Sequence, residues 1–226
     1  MAFPNRRFHD PRIVLEIVSS LSLPERLHIL DLGCGNGLLT LDLARAFPHA
    51  EVLGLDPTVS QIGLARENHA KEPLGNVRFA VGNAASQMLP GSRFDLVVML
   101  QVVQFMDHPP SEFRRIRKLL APDGRVLFST GVLPQEEPGR SFARRLTERF
   151  IGAKFWLSEL EWRNLLAEAG FAVQSLRYDP WRLSEVSEAR KAILHEELER
   201  TGFSLEQVQP WMVAGYFVVR AATQPG

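Results

Sequence analysis

Asp31-Leu32-Gly33-Cys34-Gly35-Asn36-Gly37 follows the short apolar run Leu27-His28-Ile29-Leu30 and precedes Leu38-Leu39-Thr40-Leu41-Asp42-Leu43-Ala44. The order reads as strand, glycine turn, helix. Glycines at alternate positions let the backbone turn tightly and approach a ligand with no Cβ in the way, while the helix that follows points its free amides at the same space. Such a loop is shaped to hold a ligand.

The neighbouring acids narrow the choice of ligand. A dinucleotide fingerprint spaces its glycines G-x-G-x-x-G and presents amides and a helix dipole to a pyrophosphate. Here the spacing is G-x-G-x-G, and Asp31 sits two residues before the first glycine. A carboxylate there repels a pyrophosphate and suits a ligand carrying an ammonium and a sulfonium. No Gly-Lys-Ser/Thr follows, which excludes a P-loop. Glu51-Val52-Leu53-Gly54-Leu55-Asp56 then reads as a buried strand ending in an acid. It lies about 20 residues past the loop, where an α/β nucleotide site places the carboxylate that takes the ribose hydroxyls. Asp56 is the ribose candidate.

Further motifs follow in order: Val77-Arg78-Phe79-Ala80-Val81-Gly82-Asn83-Ala84, Phe94-Asp95-Leu96-Val97-Val98-Met99, and Leu119-Leu120-Ala121-Pro122-Asp123-Gly124-Arg125-Val126-Leu127-Phe128. With the first two, this series resembles the class I S-adenosylmethionine (SAM) dependent methyltransferases over roughly residues 25 to 130. The resemblance implies a doubly wound, mostly parallel seven-stranded sheet of Rossmann-like type, its last strand antiparallel beside the fifth. It implies that Asp31, Gly33, Cys34, Gly35, Asn36 and Gly37 hold the methionine part of SAM. Asp56, with the adjoining Pro57, would hold the ribose, Asn83 and Ala84 the adenine edge, and Met99, Leu100 and Gln101 would line the cofactor. The family most often has Asp where this chain has Asn83; an amide oxygen can still accept from the adenine amino group.

Composition agrees with a single domain. The 226 residues suffice for a proper core, and 26 basic against 26 acidic residues leave no general footprint for nucleic acid or an anionic membrane. One cysteine excludes an internal disulfide, and neither a signal-like apolar stretch nor an 18-residue apolar run is present, so the chain reads as cytoplasmic. Periodicity predicts helices near 11–22, 37–47, 58–71, 110–120, 141–150, 158–169 and 184–200. It predicts strands near 27–32, 51–56, 76–81, 94–100, 124–130, 171–178 and 214–222. The core spans about 25–130 with 158–178 and 213–222, leaving an N-terminal arm at 1–24, a cap insert at 131–157 and a helical insert at 180–212.

Those three segments are expected to choose the methyl acceptor, because ligands of open α/β sheets sit beyond the carboxyl ends of the strands. His9 is the candidate base if the acceptor needs one, with His108 second. Gln104 cannot act as a base and is read as orienting the acceptor, the alternative being a solvent-facing helix start. Phe105 is placed with it. In the cap, Arg144, Arg145 and Arg149 form either a solvated face or a lid gripping a substrate anion. Phe150 and Trp156 form either an acceptor wall or core. Cys34 between two glycines is read as packing. The histidines show no zinc-type spacing, so no metal is expected. The stripe Leu183, Val186, Ala189, Ile193, Leu194 and Leu198 either closes the pocket or packs on a second subunit, so the chain is expected as monomer or homodimer.

The reading is a SAM-dependent methyltransferase acting on an oxygen or nitrogen of a small molecule, with no nucleic-acid or membrane partner. The alternatives are a methyltransferase of protein or RNA, and a SAM-binding protein without transfer activity.

Overall fold

The computed structural model describes residues 10–85, 93–151, 156–181 and 188–222. Its elements run α1 (Pro11–Ser19), β1 (His28–Leu32), α2 (Leu38–Ala46), β2 (Glu51–Asp56), α3 (Val59–Lys71), β3 (Val77–Val81), β4 (Phe94–Leu100), α4 (Pro109–Leu119) and β5 (Leu120–Leu133). They continue with α5 (Gly139–Ile151), β6 (Leu157–Ser158), α6 (Glu159–Glu168), β7 (Phe171–Pro180), α7 (Glu188–Thr201), α8 (Leu205–Val208) and β8 (Val213–Ala221). The strand order is β3-β2-β1-β4-β5-β8-β7, with the short β6 pairing with β5. The first five strands are parallel, and β8 lies antiparallel between β5 and β7.

Both faces of the sheet are covered, which is why the central strands are continuous apolar runs. Alternation splits β1 between two cores. Ile29 packs with Val14 and Ile17 of α1, Leu43 of α2 and Ile62 of α3. Leu30 and Leu32 pack on the other face with Phe113 of α4, Trp162 of α6, Phe128 and Phe217. Phe128 and Phe217 stack across β5 and β8 with centroids 4.8 Å apart. Local signals set the helix starts. Asp10 accepts from the backbone of Arg12 ahead of Pro11, and Ser158 forms a capping box with Glu161 before α6.

A third cluster stands apart from the sheet. Phe142 and Leu146 of α5, Leu194 of α7, Val208 and Met212 form the core of a cap over the carboxyl end of β5. Arg145 and Arg149 of α5 pair with Glu197 and Glu196 of α7. The seven predicted strands are present, and the short β6, α8 and the 3-10 turns at Val103–Phe105 and Gln209–Trp211 add to them. Elements of two to four residues are too short to show a period in sequence. The helix predicted at 184–200 is α7, with 182–187 outside the described residues.

Candidate active site

Two backbone hydrogen bonds anchor the loop after β1. The Gly33 and Cys34 amides donate to the Leu55 carbonyl at 2.7 and 2.9 Å, fastening the loop to the end of β2. Gly33, Gly35 and Gly37 all have positive φ, at 81°, 54° and 77°. Their surroundings differ. A Cβ on Gly33 would lie 2.4 Å from Val102 Cγ2, and one on Gly37 2.7 Å from Phe79 Cζ, whereas one on Gly35 would meet nothing within 4 Å. Gly33 and Gly37 are small because protein packs on them. Gly35 borders open space.

Two carboxylates face this loop from adjacent strand ends. Asp56 Oδ2 accepts from the Gly35 amide at 3.0 Å and Oδ1 from the Thr58 amide at 2.8 Å, so its plane is fixed before any ligand arrives. Asp31 is 2% exposed, and its Oδ2 accepts from the Thr40 hydroxyl at 2.6 Å. Burial pushes the Asp31 carboxyl up to about 7; the Thr40 hydrogen bond opposes this and the charge of Asp56 adds to it. Cys34 is buried with its Sγ 3.1 Å from where a Gly54 Cβ would stand, and burial drives its thiol pKa strongly upward. It is packing, with no thiolate character.

The remaining cofactor candidates fall at the same strand ends. Pro57 is exposed, as are the apolar Val59 and Val81 at 71% and 42%, two residues that no sequence signal selects. Asn83 Oδ1 accepts from the Ala85 amide at 2.9 Å, which commits one of its lone pairs to the local turn, with Ala84 between them. Asn36 Oδ1 takes the Leu38 amide at the start of α2. Met99 corrects the sequence reading: it is fully buried in the α4-side core, so its side chain packs and only its backbone remains for a ligand. Leu100 likewise sits in the opposite core.

Beyond β4 the chain makes a strained turn. Gln101 holds φ at 57°, uncommon for a residue with a Cβ. Its Nε2 donates to Ser129 Oγ at 3.3 Å, and Gln104 Nε2 donates to Gln101 Oε1 at 3.0 Å. Gln104 is 1% exposed, which rules out the solvent-facing alternative, and its Oε1 has no hydrogen-bond partner. Phe105 is 46% exposed. Thr40 and Ser129, which orient Asp31 and Gln101, have no signature in sequence because they come from other elements.

The other substrate candidates separate. His9 lies outside the described residues, and so does the side chain of Phe150. His108 is the N-cap of α4, its Nδ1 2.7 Å from Ser111 Oγ, a structural position. Arg145 Nε and Arg149 Nη2 each donate to an α7 carboxylate at 2.6 Å, so in this structure the two arginines fasten α5 to α7. Arg144 is exposed. Trp156 is 6% exposed and lies over Gly131, where a Cβ would be 1.5 Å from its Cζ3. Among the described residues no group of three or more His, Cys, Asp or Glu is arranged to hold a metal, and no helix is long and apolar enough to cross a membrane.

A model of the methyltransferase domain family matches residues 23–170. The chain belongs to the class I SAM-dependent methyltransferases. This methyltransferase is 38% identical over 122 residues to a ubiquinone biosynthesis O-methyltransferase of Azorhizobium caulinodans, covering 54% of the chain and 44% of that protein. It is 33% identical over 105 residues to a malonyl-acyl-carrier-protein O-methyltransferase of Halalkalibacterium halodurans, covering 45% of the chain and 38% of that protein. The methyltransferase thus spans less than half the length of these curated relatives. Its fold is that of the YcgJ protein of Bacillus subtilis, with a TM-score of 0.76 at 15% identity over 95% of this chain and all of the other. The residues fit the family's cofactor: Gly35 leaves a cradle that a Cβ would fill, and one carboxylate sits at each of two adjacent strand ends.

Proposed function

We propose that this methyltransferase binds SAM at the carboxyl ends of β1 to β4 and methylates an oxygen or nitrogen of a small-molecule acceptor. The observation that carries the reading is the open side of Gly35, bounded by Asp56, whose carboxylate is already held by the Gly35 and Thr58 amides. Asp56 has lone pairs left for a ribose diol, and Asp31 is the counter-charge for an ammonium. Asn83 and Ala84 meet the adenine edge, flanked by the exposed Val59 and Val81.

SAM supplies a sulfonium methyl open to in-line displacement. The protein's part is positioning, since holding acceptor and methyl in a near-attack geometry supplies most of the acceleration. Gln104, buried and one turn beyond Gln101, orients the acceptor by its amide and takes no proton; as the methyl–sulfur bond breaks, the proton of an O–H or N–H acceptor passes to water or to the candidate base His9. The names of the relatives, one acting in ubiquinone biosynthesis and one on a malonyl group carried by a protein, agree with O-methylation of a small acceptor group.

The test is incubation with methyl-labelled SAM and a cell extract, followed by mass identification of the labelled product. Label in a small molecule supports the reading. Label in protein or RNA replaces the acceptor class, and no label in any fraction favours a SAM-binding protein without transfer.

A further inference from the structure

Gln61 Oε1, on the first turn of α3, is shut off from solvent and has no hydrogen-bond partner among the described residues. A buried acceptor left unpaired is costly, and each such case in a folded protein calls for an explanation. The place of this one in the fold supplies it.

α3 follows β2 directly, so its first turn stands at the carboxyl end of the strand that ends in Asp56. A continuous hydrogen-bonded path joins Gln61 to the cofactor loop. The Gly35 amide donates to Asp56 Oδ2 at 3.0 Å, the Thr58 amide to Asp56 Oδ1 at 2.8 Å, and the Gln61 amide to the Thr58 carbonyl at 3.0 Å. The face of α3 that carries Gln61 is fixed as well, because residues four and seven positions on share it. Ala65, the first of these, has its Cβ 2.8 Å from where a Gly37 Cβ would stand, and Asn68, the second, donates to the Asn36 carbonyl at 3.0 Å. Gln61, Ala65 and Asn68 thus run along the glycine loop, with Gln61 at the end nearest Asp56. Helical side chains lean toward the helix N-terminus, which here turns Gln61 toward the side where Gly35 borders open space. Since nothing in the described protein holds Oε1, the amide can turn to a ligand there without losing a bond.

We infer that Gln61 is a second ribose-holding residue: its Oε1 accepts from one hydroxyl of the cofactor ribose, the other going to Asp56, so that binding pairs an acceptor that the protein alone leaves unpaired. The inference rests on the cofactor reading and adds a residue to it. The choice of donor follows from position. The ammonium falls to Asp31 beneath the loop and the adenine edge to Asn83 beyond β3, which leaves the ribose hydroxyls as the donors at the end of β2. A neutral amide oxygen suits such a donor, since it gains the hydrogen bond with no charge to desolvate.

The test is calorimetric titration of S-adenosylhomocysteine (SAH), and of its 2′-deoxy and 3′-deoxy forms, into wild type and Gln61→Met. The substitution keeps the length of the side chain and removes its polar end. In wild type each missing hydroxyl is expected to cost about tenfold in affinity. Gln61→Met should bind SAH about tenfold more weakly than wild type does, and should bind one of the two deoxy forms no more weakly than SAH, because the hydroxyl which that form lacks has lost its acceptor. Removing an unpaired buried acceptor should also leave the Tm of the ligand-free protein unchanged or higher. The ratio between SAH and each deoxy form is what a packing role would not move. Unchanged SAH affinity in Gln61→Met overturns the inference, and so does a loss that leaves both ratios at their wild-type values, whatever the Tm. Failure of wild type to bind SAH overturns the cofactor reading instead, a result visible before any variant is made.

Discussion

The Thr40 hydroxyl donates to Asp31 Oδ2 at 2.6 Å from the first turn of the helix that begins where the glycine loop ends. This one bond keeps a buried carboxylate turned toward the loop, against a burial that favours its protonated form. The carboxyl is raised from 3.8 to about 7, so the folded protein holds a proton that the unfolded chain releases. Its contribution to stability is therefore fully present below the unfolded value and declines as pH rises from about 4 to about 7.

Ligand binding should show the opposite trend. A cationic ligand needs Asp31 ionised, so SAM affinity should rise by up to about tenfold per pH unit below about 7 and level off above it. Calorimetry near pH 6 in buffers of different ionisation enthalpy should show proton release on binding. A flat affinity from pH 5.5 to 8 would remove Asp31 from the ammonium site. Asp31→Asn should lose the pH dependence and stabilise the ligand-free protein at pH 8.

Asp56→Ala should weaken SAM binding by about 1.5–3 kcal/mol, roughly ten- to hundredfold, for lost hydrogen bonds to a charged acceptor. Gly35→Val should weaken it further, because its side chain enters the cofactor space and a branched residue is strained at a φ of 54°. Calorimetry with both variants measures this, and unchanged affinity in both would contradict the cofactor assignment.

Asn83 tests the adenine contact. Its amide oxygen already accepts from the Ala85 amide, and a carboxylate brings a second oxygen to the same place. Asn83→Asp should retain SAM affinity or improve it several-fold, while Asn83→Leu should lose about tenfold. Three equal affinities would place the adenine elsewhere.

Gly131→Ala should disturb the cap. The new methyl would stand 1.5 Å from the Trp156 ring, and overpacking of this kind costs about 1–3 kcal/mol. The expected result is a lower Tm and increased tryptophan quenching by acrylamide, with SAM binding kept, since the strain falls on the cap side of β5.

Arg145→Ala should act on stability alone. Glu197 keeps its bond to Arg200, and the lost guanidinium is 40% exposed, so screening holds the effect to about 1 kcal/mol or less. Once an acceptor is known, Arg145→Ala and Arg149→Ala should leave kcat/KM unchanged. A ten- to hundredfold loss would return these arginines to the acceptor site.

The sequence by itself determined the order of strands and helices and the position of the cofactor loop, for a local reason. Strand runs, alternate glycines and a terminal acid are consecutive in the chain, and in a parallel sheet the carboxyl end of every strand faces the same crevice. Asp31, Gly35 and Asp56 were legible from spacing alone. Tertiary structure decided everything that depends on a partner from another element. The basic stripe of α5 has the same period whether it faces water, a substrate or α7, and only the fold brings Glu196 and Glu197 to meet it. Met99 at a strand end reads as a ligand contact until β4 is seen to turn its side chain into the core. Gln104 reads equally as an acceptor contact or a solvent-facing helix start, and only the fold buries it and lets it donate to Gln101, because the Ser129 that holds Gln101 comes from β5.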